Sequence, residues 1–139
     1  IASGGELARL MLALKVVLAN AKAHPIPTMI FDEVDSGVGG ATATAVGERL
    51  AGLAKDIQVL VVTHSPQVAS VGSQHWRVSK GGLHDGENLI TRVEVLDLEM
   101  RKEEIARMLS GAEVTSAARA AASSLLDSGT GKELEGRAV

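Results

Sequence analysis

Three short stretches carry residue types able to act on a phosphate anhydride: Ser3-Gly4-Gly5-Glu6, Asp32-Glu33 and Thr63-His64. A carboxylate at a strand end can orient a Mg²⁺ ion through its waters, because Mg²⁺ keeps much of its hydration shell and needs few protein ligands. That is the expected role of Asp32. Glu33, one residue on, faces the other side of the strand and could take a proton from a water attacking a terminal phosphate. His64 could hydrogen-bond that phosphate and respond to its loss. Two consecutive glycines in the first turn of a helix each cost about 1 kcal/mol of helix propensity relative to alanine. Bare backbone at a helix N-terminus is what an incoming phosphate requires.

Each stretch also has an ordinary explanation. Ser3 followed three residues later by Glu6 makes a capping box, and this is compatible with anion binding at Gly4 and Gly5. An Asp-Glu pair after a strand is often a solvated loop, and a histidine there is often a satisfied surface or core residue. His24, His75 and His84 lack a comparable setting and read as structural or exposed; Trp76 reads as core or edge packing. No segment has the form G-x-x-x-x-G-K-[ST], the loop that cradles nucleotide phosphates. The expectation is therefore one lobe of a site whose remaining cradle comes from elsewhere.

The elements that position these residues follow from periodicity. Leu7, Leu10, Met11, Leu14 and Leu18 share one face of a helix predicted from Gly5 to Ala23, and Pro25 and Pro27 end it. Thr28 to Phe31 reads as a buried strand. Gly37, Gly39 and Gly40 make a loop before a helix from Ala41 to Lys55, with Val46, Leu50 and Leu53 inward. Ile57 to Val62 reads as a strand buried on both faces, as in a parallel sheet. Strand, helix and strand form a right-handed βαβ unit, and ligands of parallel sheets sit outside the carboxyl ends of the strands. Asp32-Glu33 and Thr63-His64 therefore fall on one sheet edge. Further strands are expected over Gln74 to Ser79 and Leu89 to Leu96, joined by a turn through Gly81 to Gly86. Helices follow over Leu98 to Leu109, stopped by Ser110-Gly111, and over Thr115 to Leu126. A polar, glycine-rich tail, frayed and disordered, is expected over 127–139.

Composition narrows the class. The chain has 139 residues, of which 45% are apolar, enough for one domain with a hydrophobic core. Phe31 and Trp76 are its only aromatics, too few for a surface that stacks single-stranded bases. A net charge of −3 without a dense basic run gives no evident DNA footprint. The absence of cysteine excludes disulfides and thiolate metal sites. No apolar run reaches a membrane span, Lys15 interrupting the longest candidate. No signal peptide is visible, and the missing initiator Met suggests a fragment, while the lack of cysteine points to a reducing compartment.

In combination the motifs resemble those of ABC-type ATPases. Ser3-Gly4-Gly5-Glu6 is similar to their signature, and Ile30-Phe31-Asp32-Glu33 to the Walker B strand with its catalytic Glu. Ser36-Gly37-Val38-Gly39 occupies the D-loop position, although Gly39 stands where many members have Asp, and His64 stands where the switch histidine falls. The wording is closer to the SMC-like subgroup, and within it to bacterial DNA-repair members. It extends over Ala2 to Arg9, Phe31 to Gly37, Val62 to Ala69 and Glu104 to Gly111, and covers the chain to about Leu126.

The resemblance implies an α/β fold: the C-terminal lobe of an ABC-type P-loop ATPase head, a mostly parallel sheet with flanking helices over residues 1–126. It implies ATP and Mg²⁺, with Glu33 and His64 catalytic, Asp32 holding the metal through water, and Asp32, Glu33 and His64 serving ATP of their own head. It also implies that Ser3, Gly4, Gly5 and Glu6 meet the ATP of a partner head, and that Ser36, Gly37, Val38 and Gly39 lie at the dimer seam. Expected partners are the N-terminal Walker A lobe of the same head, separated in sequence by a long coiled coil, a second head joined by ATP, and DNA, with no membrane. The expected role is double-strand-break repair and recombination in the bacterial cytoplasm, at the nucleoid, with the lobe inactive alone. Other readings are the head of another SMC-like or nuclease-associated ATPase, a docking or dimerisation module without chemistry, and a Mg²⁺-dependent phosphohydrolase built on Asp32, Glu33 and His64.

Overall fold

The computed structural model describes Ala13 and residues 27–82, 89–111 and 113–135. All of the expected first helix except Ala13, which is helical, and the Ser3-Gly4-Gly5-Glu6 stretch lie outside the described residues, as do most of the turn through Gly81 to Gly86 and the last residues of the expected tail.

Strand β1 (Thr28–Asp32) pairs in parallel with β2 (Gln58–Val62), in a register that sets Thr28 opposite Gln58 and Asp32 opposite Val62. Helix α1 (Gly40–Leu53) is the crossover between them. Its inward residues Ala43, Val46, Leu50 and Leu53 recur at helical spacing and pack with Phe31, which is fully buried. Met29, Val59 and Val61 join them from the same face of the sheet, as period-two alternation requires.

The opposite face differs from the sequence expectation. β1 and β2 were expected to be buried strands, yet Ile30 is 64% and Val62 57% exposed. Among the described residues α1 covers one face only, and a strand is sealed on both faces only when a second layer is present.

A short helix, α2 (Pro66–Ser70), follows β2, with Pro66 at its first turn. It has no counterpart in the sequence reading. Gly47 of α1 allows its close approach: a Cβ there would stand 3.0 Å from Val71 Cγ2 and 3.3 Å from the Gln67 carbonyl oxygen. The chain then forms an antiparallel ribbon, β3 (Trp76–Gly82) with β4 (Leu89–Val95). β3 therefore begins and ends later than Gln74 to Ser79. The described strands make one parallel and one antiparallel pair, where a mostly parallel sheet was expected. One face of the ribbon carries Trp76, Val78, Val93 and Val95, all more than half exposed. Trp76 is thus outside the core.

Helix α3 (Leu98–Ser110) is capped by Asp97, whose carboxylate accepts from the Met100 N–H at 2.8 Å. It ends at Gly111, whose φ of 78° is a conformation glycine tolerates and side chains resist. Helix α4 (Ser116–Glu135) packs on α3 through Ala118, Ala122 and Leu126 against Ile105 and Ala106, a second core. It continues well past Leu126, so residues 127–135 of the expected tail are helical. Small side chains keep this helical pair close, and at Gly129 the helix passes near the end of α2, where a Cβ would stand 3.0 Å from the Ser70 carbonyl oxygen.

Candidate functional site at the strand ends

The parallel register brings the two chemical stretches together. Asp32 ends β1 opposite Val62, and the Glu33 N–H donates to the Val62 carbonyl at 2.9 Å, one rung beyond the strand. Asp32 and Glu33 therefore lie beside Thr63 and His64 on one sheet edge. Asp32, Glu33 and His64 are all exposed, open to a ligand approaching that edge.

Glu33 departs from extended geometry. Its φ of 47° makes it the one non-glycine residue with positive φ among those described. A left-handed conformation costs an L-residue about 1–2 kcal/mol, and such strain concentrates at functional sites where the surroundings enforce it. Here the enforcement is visible: its N–H is held by Val62, and its carbonyl accepts from the Ser36 N–H at 3.0 Å. Glu33 thus sits in a turn beyond the strand, where simple strand alternation had been expected.

The loop that follows is a compact turn. The Val38 N–H donates to the Asp35 carbonyl at 3.3 Å, Gly37 has a φ of 72°, and Gly39 is the N-cap residue of α1, its carbonyl accepting from Ala43 N–H at 2.9 Å. Ser36, Gly37 and Gly39 are exposed and Val38 is half-buried against the core. The turn presents backbone at the surface, adjoining the edge that bears Glu33.

Two further residues complete the site, and the sequence analysis assigned neither a role. Asp35 is only 3% exposed. Its Oδ2 accepts from the Thr63 hydroxyl at 2.5 Å, and its Oδ1 is buried without a hydrogen-bond partner among the described residues. Thr63 Oγ1 in turn accepts from the Ser65 N–H at 2.9 Å. Leaving a buried acceptor unpaired costs about 1–3 kcal/mol, so Asp35 is retained there against a penalty. The available signal was Val34 and Val38: both pack on the core, so the turn rolls inward and carries the acid between them.

A separate polar cluster supports α2 and the ribbon. Arg101 Nη2 donates to the carbonyls of Ser70 at 2.8 Å, Ala69 at 3.3 Å and Gly72, closing the C-terminal end of α2 with a cation. Glu104, 6% exposed, pairs with Arg107 at 2.5 Å and Arg77 at 3.6 Å. The Arg107 hydrogen bonds hold its carboxyl below the usual range despite burial. His75, expected to be structural or exposed, has a buried Nδ1 without a hydrogen-bond partner among the described residues. Burial pushes its pKa down, and Arg101 and Arg77 push the same way against Glu104.

The fold and this strand-end arrangement define a class: the C-terminal lobe of an SMC-type ATPase head. One solved structure, from work described as the structural biochemistry of ATP-driven dimerization and DNA-stimulated activation of SMC ATPases, matches with a TM-score of 0.62 at 24% identity, over 81% of this chain and 65% of that one. The Smc head domain with a coiled coil and joint from Pyrococcus yayanosii matches with a TM-score of 0.64 at 26% identity, over 78% of this chain and 20% of that one. Within that class the chain is similar to the C-terminal portion of the DNA repair protein RecN. It is 50% identical to RecN of Streptomyces coelicolor over 126 residues, 91% of this chain and 21% of that protein. The values for RecN of Xylella fastidiosa are 51% over 128 residues, 91% of this chain and 22% of the relative. RecN of Mycobacterium tuberculosis is 47% identical over 134 residues, 96% of this chain and 22% of the relative. The chain thus spans about a fifth of the length of these curated relatives. No family model matches it.

Proposed function

We propose that this lobe forms part of an ATP-hydrolysing head of a RecN-like protein in DNA double-strand-break repair, and that ATP joins two such heads. The observation that carries this reading is the shared edge at which Asp32, Glu33 and His64 stand, with Glu33 held in a left-handed turn. In this role Glu33 accepts the proton of the attacking water and His64 hydrogen-bonds the terminal phosphate. Asp32 carries an exposed carboxylate suited to hold Mg²⁺ through water. Among the described residues no group of three or more His, Cys, Asp or Glu could hold a metal ion. When bound, Mg²⁺ supplies charge neutralisation at the phosphate oxygens.

The phosphate loop comes, in this reading, from an N-terminal lobe of the same protein. The uncovered apolar residues Ile30, Val62, Trp76 and Val78 support a further layer on both sheets. Ser3, Gly4, Gly5 and Glu6 contact the ATP of the second head, and Ser36, Gly37, Val38 and Gly39 line the seam. DNA is engaged through the full-length protein. Among the described residues no helix is long and apolar enough to cross a membrane.

The test compares ATP turnover by this chain alone, by the chain joined to its N-terminal lobe, and by the joined protein carrying Glu33→Gln. Turnover is expected only in the joined protein. Glu33→Gln is expected to reduce it by about 10²–10⁴-fold, the usual contribution of a general base, while preserving ATP binding and prolonging the dimer. Turnover by the isolated lobe, or full turnover with Glu33→Gln, overturns the reading.

A further inference from the structure

We propose that Asp35 is a positioning residue that locks the turn bearing Glu33 to the strand end bearing His64, so that the two move as one body. The proposal rests on the roles of Glu33 and His64 given above. Asp35 lies two residues beyond Glu33 and immediately before Ser36, inside the turn. Its side chain leaves that turn and takes the Thr63 hydroxyl hydrogen across the sheet edge. Thr63 then takes the Ser65 N–H. His64 is flanked on both sides by members of this chain of hydrogen bonds, and its own side chain remains exposed.

The chemistry selects this function for a buried acid. A carboxylate acts only as an acceptor, so Asp35 cannot satisfy a neighbouring carbonyl or cap another acid. Its one described partner is a hydroxyl on the opposite loop. Such a contact, removed from water, is held in a fixed geometry. Displacement of Ser36 to Gly39 therefore either carries Thr63 and His64 with it or breaks the bond. Glu33 and His64 thereby keep one mutual arrangement whichever way the turn is pushed.

The experiment uses the full-length protein and a double-mutant cycle on ATP turnover. Asp35→Ala and Thr63→Val are each expected to lower kcat by about tenfold or more with little change in KM, as for a small misplacement of reacting groups. The double variant is expected to lose no more than either single one, because both remove the same contact. Thr63→Ser, which restores the hydroxyl, is expected to recover most of the rate. Amide hydrogen exchange at His64 and Ser65, measured without nucleotide, is expected to speed up in Asp35→Ala and in Thr63→Val but not in Thr63→Ser. Additive losses, or Thr63→Val as active as Thr63→Ser, overturn the coupling. Unchanged exchange in Asp35→Ala overturns the lock itself. Should Glu33→Gln retain full turnover, the hydrolytic reading fails, and the exchange measurement still decides whether Asp35 joins the two loops.

Discussion

Two glycines on α1 should respond in opposite directions to the same substitution. Gly47 and Gly52 both lie in the helix, where alanine gains about 1 kcal/mol of propensity over glycine. At Gly52 a Cβ would meet nothing within 4 Å, so Gly52→Ala should keep about 0.5–1 kcal/mol of that gain, less than the full value because the site is near the helix end. At Gly47 a Cβ would lie 3.0 Å from Val71 Cγ2, 3.3 Å from the Gln67 carbonyl oxygen and 3.4 Å from Val68 Cα. Val71 is stiff at χ1 and the other two atoms are backbone, so little can yield. Overpacking of this kind costs about 1–3 kcal/mol. Against the propensity gain, Gly47→Ala should lose about 1 kcal/mol net, separating the two variants by about 2 kcal/mol. Urea unfolding of the three proteins, with equal slopes, reads this as midpoints on either side of the parent. Because α2 begins two residues after His64, Gly47→Ala should also slow turnover in the joined protein. A Gly47→Ala midpoint at or above that of the parent would falsify the close approach of α1 and α2.

Three further outcomes follow, two from the supporting cluster and one from the end of α3. His75 has a folded-state pKa below its ordinary 6.5, so the unfolded chain binds protons more readily, and stability should fall as pH drops below about 6.5. His75→Gln should flatten that decline in thermal melts at pH 5 to 7, a range chosen on either side of about 6.5; a slope identical to the parent's would contradict it. Arg101→Ala should destabilise the fold by about 1.5–3 kcal/mol, as for loss of a charged donor to backbone carbonyls, and Arg101→Lys should recover part of it, since the single Nη2 meets all three carbonyls and an ammonium offers three donors on one nitrogen. Gly111→Ala should cost about 1–3 kcal/mol, because φ of 78° with ψ of −130° is a conformation that side chains strain to adopt; an unchanged melting point would show that the α3 terminus relaxes.

Much of this architecture was legible in the chain because it rests on local periodicity. Leu50 and Leu53 repeat at the helical interval, β2 is an unbroken run of valine and leucine after Gln58, and Ser110-Gly111 stops α3. The pairing of Asp32-Glu33 with Thr63-His64 was legible because a crossover helix between two apolar strands fixes which ends coincide. What escaped was decided by tertiary contact or by brevity. α2 has five residues, too few for a period to show, and its position depends on Gly47. The exposure of Ile30 and Val62 depends on which layers are present, which strand composition does not report. Helix α4 outlasts its apolar stripe because Ser128 and its neighbours are tolerated on an exposed helical face, Ser128 donating its hydroxyl to the Leu125 carbonyl at 2.8 Å. Asp35 sits among residues that read as an ordinary polar turn, and only the inward packing of Val34 and Val38 separates it from them.

The strain at Glu33 and the buried acid at Asp35 are best understood as one device. Each is unfavourable by itself: the first by about 1–2 kcal/mol of backbone energy, the second through an acceptor oxygen without a donor among the described residues. They lie two residues apart, and the hydrogen bonds that enforce them, from Glu33 N–H to Val62 and from Thr63 to Asp35, run to consecutive residues of the other loop. A turn free to relax would return Glu33 to extended geometry and carry its carboxylate along the strand direction, away from the edge shared with His64. Anchoring at both ends removes that option. The rest of the lobe has the means to carry this cost, since Phe31 and Val61, directly upstream of the two loops, are packed against α1. The rigidity of the hydrophobic core is thereby passed to two exposed side chains, Glu33 and His64, that have few contacts with which to position themselves.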